Sequence, residues 1–298
     1  MKLVEQLITP LVEVFQTFSG EQRDELAVPT ITNVFGFYSP SGGTGVTTFI
    51  VNLATVLAQH KKVAILDLDI LHPSIYQYMV KPDDKGVYIH EDVTEKFMAA
   101  GADVVKYSTD TVVHDVKLFS CLPEGDIVKY CELDYGAIRS CIADLSHIYD
   151  YVLIDIKGNL MQETVVAAIE SSTRVYTFIR PWMSDVVRVR KEIALLKRYG
   201  FGAKLKNIIQ CPISSSPIDA NILKEAGLVN TLGIPYVKKV EDVGFNFGIF
   251  VLADGGSDKY AKNYISCVTW LAERIANYKL EEVVSDGTAE VVLDKKSE

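Results

Sequence analysis

The chain of 298 residues, 48% of them hydrophobic and 10% aromatic, is long enough to bury a full core. Its formal net charge of −9 excludes a protein whose entire surface binds nucleic acid, although local basic patches stay open. The five cysteines are an odd number without close pairs, which argues against a disulfide framework and a cysteine-rich metal site.

Residues 1–30 precede the first predicted strand and carry an apolar stripe. Apolar side chains recur at helical spacing despite Pro10, at Leu3, Leu7, Ile8, Leu11, Phe15 and Phe18. Such a stripe has to be buried, either on the rest of the chain or on a partner or membrane surface. Glu5 and Glu13 on the polar face weigh against the membrane. We treat residues 1–30 as an amphipathic N-terminal extension.

Short β-rich runs alternate with helical patterns from Asn33 onward. This alternation predicts an α/β fold, a doubly wound and mostly parallel sheet with helices on both faces. The predicted strands are 33–39, 62–69, 116–122, 149–156, 174–180, 206–211 and 234–237. The predicted helices are 46–58, 136–148, 161–170, 184–199 and 260–278, the fourth with Ser184 as its N-cap.

The predicted domain spans residues 31–278. Within it, residues 72–115 are polar, rich in tyrosine and weakly periodic, which indicates an insertion after the second strand. Residues 279–298 are predicted to form a flexible acidic tail.

A glycine-rich loop joins the first predicted strand to the first predicted helix, in the sequence FYSPSGGTGVTTFIVNLA. In a loop of this kind, backbone N–H groups and the positive end of the following helix hold phosphate oxygens. The strand before it and the apolar helix face after it favour this interpretation over glycines that merely begin a helix. The predicted nucleotide-binding residues of the loop are Ser41, Gly42, Gly43, Thr44, Gly45, Val46, Thr47 and Thr48.

The loop resembles the motif K-G-G-x-G-K-[ST]-T of the MinD/ParA superfamily of P-loop ATPases. SGGTGVTT places Ser41 at the first, signature lysine and Val46 at the second, so both cations are replaced. The resemblance extends over residues 31–277, through VAILDLDILHPSIYQYM, YDYVLIDIKGN, RVYTFIRPWMSDVVRVRKEIALLKRYG and the C-terminal segment that begins IPYV. The chain is most similar to the CpaE/TadZ branch of pilus-positioning proteins, but it has only about 30 residues where that branch commonly carries a receiver-like domain.

The resemblance implies a magnesium site built on acids at the strand ends. Thr47 would bind Mg²⁺ directly, Asp67 and Asp155 would orient the ion through water, and Asp69 would orient the attacking water. Aspartates also end strands and begin turns without any such role, and this alternative stays open.

Three further residues are implied in nucleotide binding. Lys157 and Gly158 follow the Asp155 strand and would lie near the terminal phosphate, where Lys157 either returns part of the missing charge or is a solvated loop lysine. Gln210 ends a later strand, where relatives often carry an asparagine, and it would present its amide to the base.

Loss of both lysines should affect hydrolysis more than binding. A charge-assisted hydrogen bond contributes about 1.5–3 kcal/mol, which predicts binding weakened about 10- to 100-fold. Charge supplied to a transferring phosphoryl group is worth about 10³–10⁵ in rate. Three acids without a balancing lysine also repel a nucleotide unless a metal is present. We expect weak, Mg²⁺-dependent binding of ATP or ADP and slow or no hydrolysis.

Partners are suggested by surface charge and by the resemblance. A basic segment contains Arg188, Arg190, Lys191, Lys197 and Arg198, which either contact DNA weakly or form a solvated helix face. The resemblance implies a homodimer and protein partners in a larger assembly. No apolar run approaches the roughly 20 residues that cross a bilayer, so we expect a cytoplasmic protein, free or peripheral at the inner face of the membrane.

The sequence therefore favours a degenerate ATPase-like protein that dimerises and positions a pilus or secretion-type assembly. The alternative is an active but atypical ATPase in DNA segregation or membrane-site positioning. A kinase-like or metal-delivering relative is disfavoured, because the chain has neither a suitable cysteine pair nor a tyrosine-rich tail.

Overall fold

The computed structural model describes residues 31–98, 103–122, 133–213, 216–253 and 259–281. The predicted N-terminal extension, residues 1–30, lies outside these residues, and so does the predicted tail 279–298 except for residues 279–281, which end the last helix.

Eight strands form a single sheet in the order β3-β4-β2-β5-β1-β6-β7-β8. Their bounds are β1 Val34–Tyr38, β2 Val63–Asp67, β3 Thr109–Asp110, β4 Val116–Ser120, β5 Tyr151–Ile156, β6 Arg174–Ile179, β7 Asn207–Ile213 and β8 Val229–Pro235. Every pairing is parallel except that of β3 with β4 at the edge. The central strands β1, β2 and β5 are buried along their whole length, which explains their nearly continuous apolar sequences.

Helices cover both faces of the sheet. Their bounds are α1 Val46–Leu57, α2 Ile75–Met79, α3 Thr94–Met98, α4 Tyr135–Ile148, α5 Glu163–Ser171, α6 Met183–Lys197, α7 Ala220–Glu225, α8 Lys238–Phe245, α9 Phe250–Ala253 and α10 Lys259–Glu281. One apolar core lies between the sheet and α1, α2 and α10, and a second lies between the sheet and α4 and α5. The predicted doubly wound α/β fold is confirmed.

The structure corrects several predicted elements. The predicted strand 234–237 is instead β8, Val229–Pro235, whose first residues are exposed and lack an apolar pattern. Ser184 is not the N-cap of α6, because the helix begins at Met183 after Trp182 and has no side-chain cap. The predicted insertion 72–115 stays a prediction; it contains α2, α3 and the edge strand β3, which pairs antiparallel with β4.

The strand order brings three strand ends together. β1 lies between β5 and β6, and β5 lies between β1 and β2, so the ends of β1, β2 and β5 meet at one edge. Asp67 at the end of β2 is in register with Asp155 on β5. Ligands of open α/β sheets bind at this carboxyl edge, where the β1–α1 loop also lies.

Candidate functional site

The β1–α1 loop has the backbone shape that its glycines predict. Gly43 and Gly45 adopt left-handed conformations with φ of 72° and 75°, which a side chain would strain. Gly45 immediately precedes α1, so the N–H groups of the first helical turn face the loop. A cavity of about 230 Å³ lies over the loop, and its lining includes Gly42, Gly43, Thr47, Asp155 and Lys157. Loop, helix end and cavity together form a site suited to phosphate.

Neither residue at a lysine position carries charge into this cavity. Val46 is the first residue of α1 and packs into the core beneath the loop. Ser41 is also buried, and its hydroxyl donates a hydrogen bond of 3.1 Å to Oδ1 of Asp185 on α6. Both replacements therefore serve packing and loop anchoring.

Asp67 is fixed by the backbone that follows β2. Its Oδ1 accepts a hydrogen bond from the Asp69 N–H at 3.0 Å, and its Oδ2 accepts from the Ser74 N–H at 3.1 Å and the Ile75 N–H at 3.2 Å. The carboxyl is fully buried, and burial together with repulsion from Asp155 raises its pKa above the ordinary value. Asp67 thus shapes the loop before α2 and lies beside Asp155.

Asp155 faces the phosphate loop from β5. Its Oδ2 accepts a hydrogen bond of 2.7 Å from Thr47 Oγ1, while its buried Oδ1 has no hydrogen-bond partner in the described part of the chain. Burial raises the pKa of this carboxyl too. A hydroxyl beside a buried carboxylate with an unused oxygen is a donor set that suits Mg²⁺.

The magnesium would need further oxygen ligands. Among the described residues, no group of three or more histidine, cysteine, aspartate or glutamate side chains is arranged to hold a metal by itself. Thr47 and Asp155 fit an ion whose remaining ligands are water and phosphate oxygens, which is how Mg²⁺ usually binds beside a nucleotide.

Lys157 reaches the site but is directed at Asp69. Its Nζ lies 3.2 Å from Asp69 Oδ2, and the lysine side chain is 47% exposed. Partial burial opposes the charge, but the attraction of Asp69 and Asp155 outweighs it and raises the lysine pKa. Gly158 adopts a φ of 119°, and an added Cβ would collide with Gln162. Gly158 shapes the turn and is not part of the cavity lining.

The structure does not bring Gln210 to the loop as a base-binding residue. Its Nε2 donates to the Ile218 carbonyl at 3.1 Å and to Asn230 Oδ1 at 3.2 Å, and its Oε1 accepts from the Ile218 N–H at 2.7 Å. Both ends of this buried amide are engaged in fixing the chain after β7, and Gln210 is not part of the phosphate cavity lining.

A second cavity adjoins the first and was not predicted from the sequence. It has a volume of about 740 Å³ and shares Gly43, Gly45, Thr48 and Tyr78 with the phosphate cavity. The rest of its lining is mainly apolar and comes from α1, from the ends of β7 and β8, from α8 and the residues on either side of it, and from α10, namely Phe49, Cys211, Pro212, Ile234, Pro235, Tyr236, Val237, Val240, Glu241, Gly244, Phe245, Phe247 and Tyr264. The buried Tyr264 hydroxyl has no partner within the described ranges.

The predicted basic patch divides into two parts. Arg190 and Lys197 line a groove of about 390 Å³ together with Lys206, away from the phosphate loop. Arg188 instead contacts the loop, donating to the Pro40 carbonyl at 2.6 Å and to Ser41 Oγ at 3.3 Å. The sequence showed these residues only as a run of charges, because helical spacing alone does not reveal which turn of α6 lies beside the loop.

Comparison with known proteins supports the same architecture. No protein-family model matches the chain. An uncharacterised ATP-binding protein of Methanocaldococcus jannaschii is 26% identical over 219 residues, which cover 66% of this chain and 79% of that protein. A ParA family ATPase from Chlorobium tepidum has a TM-score of 0.66 and 17% identity, over 80% of this chain and 98% of its own.

The septum site-determining protein MinD from Pyrococcus horikoshii, solved in complex with Mg-ADP, has a TM-score of 0.66 and 20% identity, over 85% of this chain and 99% of its own. The fold and the site thus define a mostly parallel α/β protein with a phosphate loop after its first strand. More specifically, the chain has the fold of the ParA/MinD ATPases. A search of the described helices for a membrane-spanning segment finds none.

Proposed function

We propose that this protein binds ATP or ADP with Mg²⁺ but hydrolyses ATP slowly or not at all. The observation that carries the proposal is the combination of an intact loop geometry with two uncharged residues at the lysine positions. Gly43 and Gly45 keep their left-handed conformations, while Ser41 and Val46 are buried and neutral. Backbone N–H groups can hold phosphate without lysine, but they supply less charge to a transferring phosphoryl group.

The magnesium ion has a defined role in this proposal. Thr47 would bind it directly, and Asp155 and Asp67 would hold it through water at the end of β5 and β2. The ion would supply positive charge to phosphate oxygens in a site that already contains buried acids. Asp69 would orient the attacking water poorly while its carboxylate is ion-paired with Lys157. The adjoining apolar cavity is the space for the nucleoside.

We further propose that nucleotide binding serves assembly. In this proposal the chain forms a homodimer and positions protein components of a pilus or secretion-type machine, as the resemblance to the CpaE/TadZ branch implies. Exposed apolar side chains at the start of α6, Trp182, Met183 and Val187, lie on the helix that also contacts the loop and suit such contacts. This role would place the protein in the cytoplasm or at the inner face of the membrane.

The second candidate is an active ATPase that binds DNA. The groove with Arg190, Lys197 and Lys206 favours it, because clustered cations on one surface attract a phosphate backbone. Retention of duplex DNA at low salt, lost in the Arg190→Ala/Lys197→Ala double variant, would support this candidate. Absence of retention at low salt would remove it.

Three measurements on the whole protein test the principal proposal. Calorimetric titration with ATP should show binding in Mg²⁺ that weakens strongly in EDTA, and size determination should show a larger species with MgATP. Steady-state phosphate release should be slow. Rapid phosphate release would overturn the proposed loss of hydrolysis, and lack of binding at millimolar MgATP would overturn the nucleotide-binding function.

A further inference from the structure

Arg188 contacts the phosphate loop at the residue that replaces the signature lysine. The guanidinium Nη1 lies 2.6 Å from the Pro40 carbonyl oxygen and 3.3 Å from Ser41 Oγ. Ser41 in turn lines the phosphate cavity. The positive charge of Arg188 is therefore separated from the cavity only by Ser41, whereas the loop itself contains no charged residue.

The position of Arg188 is fixed by a network at the start of α6. Asp185, one helical turn earlier, accepts hydrogen bonds from the Arg180 backbone N–H and from the Arg180 guanidinium, at 3.0 to 3.1 Å. The same carboxylate accepts the hydrogen bond from Ser41 Oγ. Asp185 thus ties the loop to α6, and residues three apart on a helix lie on one face. The approach of Arg188 to the loop is built into the fold.

Arg188 differs from the nearby cations Lys157 and Arg180 in its ion pairing. Lys157 is paired with Asp69, and Arg180 is paired with Asp185 and stacks on Trp182 at 4.1 Å. In the described ranges, no carboxylate lies within ion-pair distance of the exposed Arg188 guanidinium. Glu192, one helical turn later, is near enough for the charge of Arg188 to lower its pKa, but burial is the larger effect and raises that pKa to about 7.

From this geometry we infer that Arg188 supplies, within one chain, the positive charge that the phosphate loop lacks at Ser41 and Val46. The ligand is the phosphate group of the nucleotide, so the inference rests on the proposed nucleotide binding. A guanidinium has five N–H donors, of which the loop contacts use a part, and the remaining donors suit phosphate oxygens. The long side chain can reorient from Ser41 Oγ to a phosphate oxygen while α6 stays in place.

Four variants separate this charge role from a structural role. Arg188→Ala removes both the charge and the loop contacts. Arg188→Lys keeps the charge but not the planar fork, and Arg188→Gln keeps a hydrogen-bond donor for the Pro40 carbonyl without the charge. Arg190→Ala is the matched control, since Arg190 is exposed on the same helix but lines the other groove. Folding of each variant is checked by thermal unfolding.

The measurement is calorimetric titration of the whole protein with MgATP, MgADP and adenosine at two salt concentrations. We expect Arg188→Ala and Arg188→Gln to weaken MgATP binding about 10- to 100-fold and to reduce its dependence on salt. Arg188→Lys should recover part of the affinity. Adenosine affinity should be the same in every variant, and Arg190→Ala should match the unaltered chain.

Full affinity in Arg188→Gln would overturn the inference, because a hydrogen bond without charge would then suffice. Equal affinity in Arg188→Ala and the unaltered chain would also overturn it, while leaving the proposed function intact. If the unaltered chain binds no MgATP, the proposed function fails and this inference fails with it.

Discussion

Asp67 on β2 lies directly beside Asp155 on the neighbouring strand β5, in register, and both carboxyls are buried. Two acids in this arrangement favour a shared proton or a metal ion, because burial penalises each charge and the two charges repel. Ionisation of these two carboxyls therefore destabilises the metal-free fold beside the phosphate loop. A bound cation would remove that destabilisation, which links metal binding to stability.

The first prediction concerns pH in the absence of metal. Burial raises the pKa of both carboxyls in the folded protein, so the folded state binds protons more tightly than the unfolded state. This contribution to stability is fully present below about pH 4, the ordinary value for aspartate, and is lost as the pH rises through the raised values. The free energy of unfolding, measured in urea with EDTA, should fall from about pH 4 towards neutrality.

Asp155→Asn should flatten this pH dependence. The amide keeps an acceptor for Thr47 Oγ1 and removes one buried charge, so we predict a gain of about 1–3 kcal/mol in the metal-free free energy of unfolding at pH 8. Asp110→Asn, on the exposed edge strand β3, is the control and should change little. An unchanged pH profile in Asp155→Asn would show that the strand-end acids do not set the stability.

The second prediction concerns the hydroxyl that faces the metal site. Thr47→Ser keeps an oxygen beside Asp155, whereas Thr47→Val keeps the shape without it. We expect Thr47→Val to weaken ATP binding about 10-fold or more in Mg²⁺ and hardly at all in EDTA, since a metal ligand is lost. Thr47→Ser should bind like the unaltered chain. Equal losses with and without Mg²⁺ would argue against a metal ligand at this position.

The third prediction restores one missing cation. Val46 is the first residue of α1, where the resemblance places the second lysine. Val46→Lys should strengthen MgATP binding about 10- to 100-fold, while phosphate release stays slow because Ser41 still occupies the signature position. Val46→Met, of similar length but uncharged, is the control. A Val46→Lys affinity no better than that of Val46→Met would show that the loop does not aim this position at phosphate.

The fourth prediction concerns the apolar cavity. The buried Tyr264 hydroxyl has no partner in the described part of the chain, and an unsatisfied buried hydroxyl costs about 1–3 kcal/mol. Tyr264→Phe should therefore raise the free energy of unfolding of the nucleotide-free protein by about 1 kcal/mol. Tyr236→Phe is the control and should give no gain, because the exposed Tyr236 hydroxyl already donates to Glu241 at 2.6 Å. Destabilisation by Tyr264→Phe would indicate that the hydroxyl is satisfied in solution.

Much of the fold was predictable because local patterns and tertiary burial agree. The central strands are nearly continuous apolar runs, of which β2 ends in Asp67 and β5 carries Asp155 one residue before its end, and the glycine loop lies between a strand and an amphipathic helix. β8 was misplaced because its exposed first residues have no apolar pattern to detect. The elements within region 72–115 were not predictable from periodicity, because β3 has only two residues and the helices α2 and α3 have five each.

The site was predictable in position but not in its contacts. Motif spacing identified Thr47 and Asp155, whose side chains the structure brings within 2.7 Å. Spacing could not show that Lys157 pairs with Asp69, or that the Gln210 amide hydrogen-bonds to the backbone of Ile218. Arg188 was recognised only as one charge in a basic run, because its contact with the loop joins residues about 150 positions apart.

Equilibrium dialysis of the whole protein against labelled ATP, with the retained nucleotide identified by chromatography, tests the central claim most directly. The account predicts that label is retained in Mg²⁺ and much less in EDTA, and that the retained nucleotide is still ATP after long incubation. Retention of mainly ADP, produced at a rate that a lysine-containing phosphate loop would give, would contradict it. Absence of retained label at millimolar MgATP would contradict it equally.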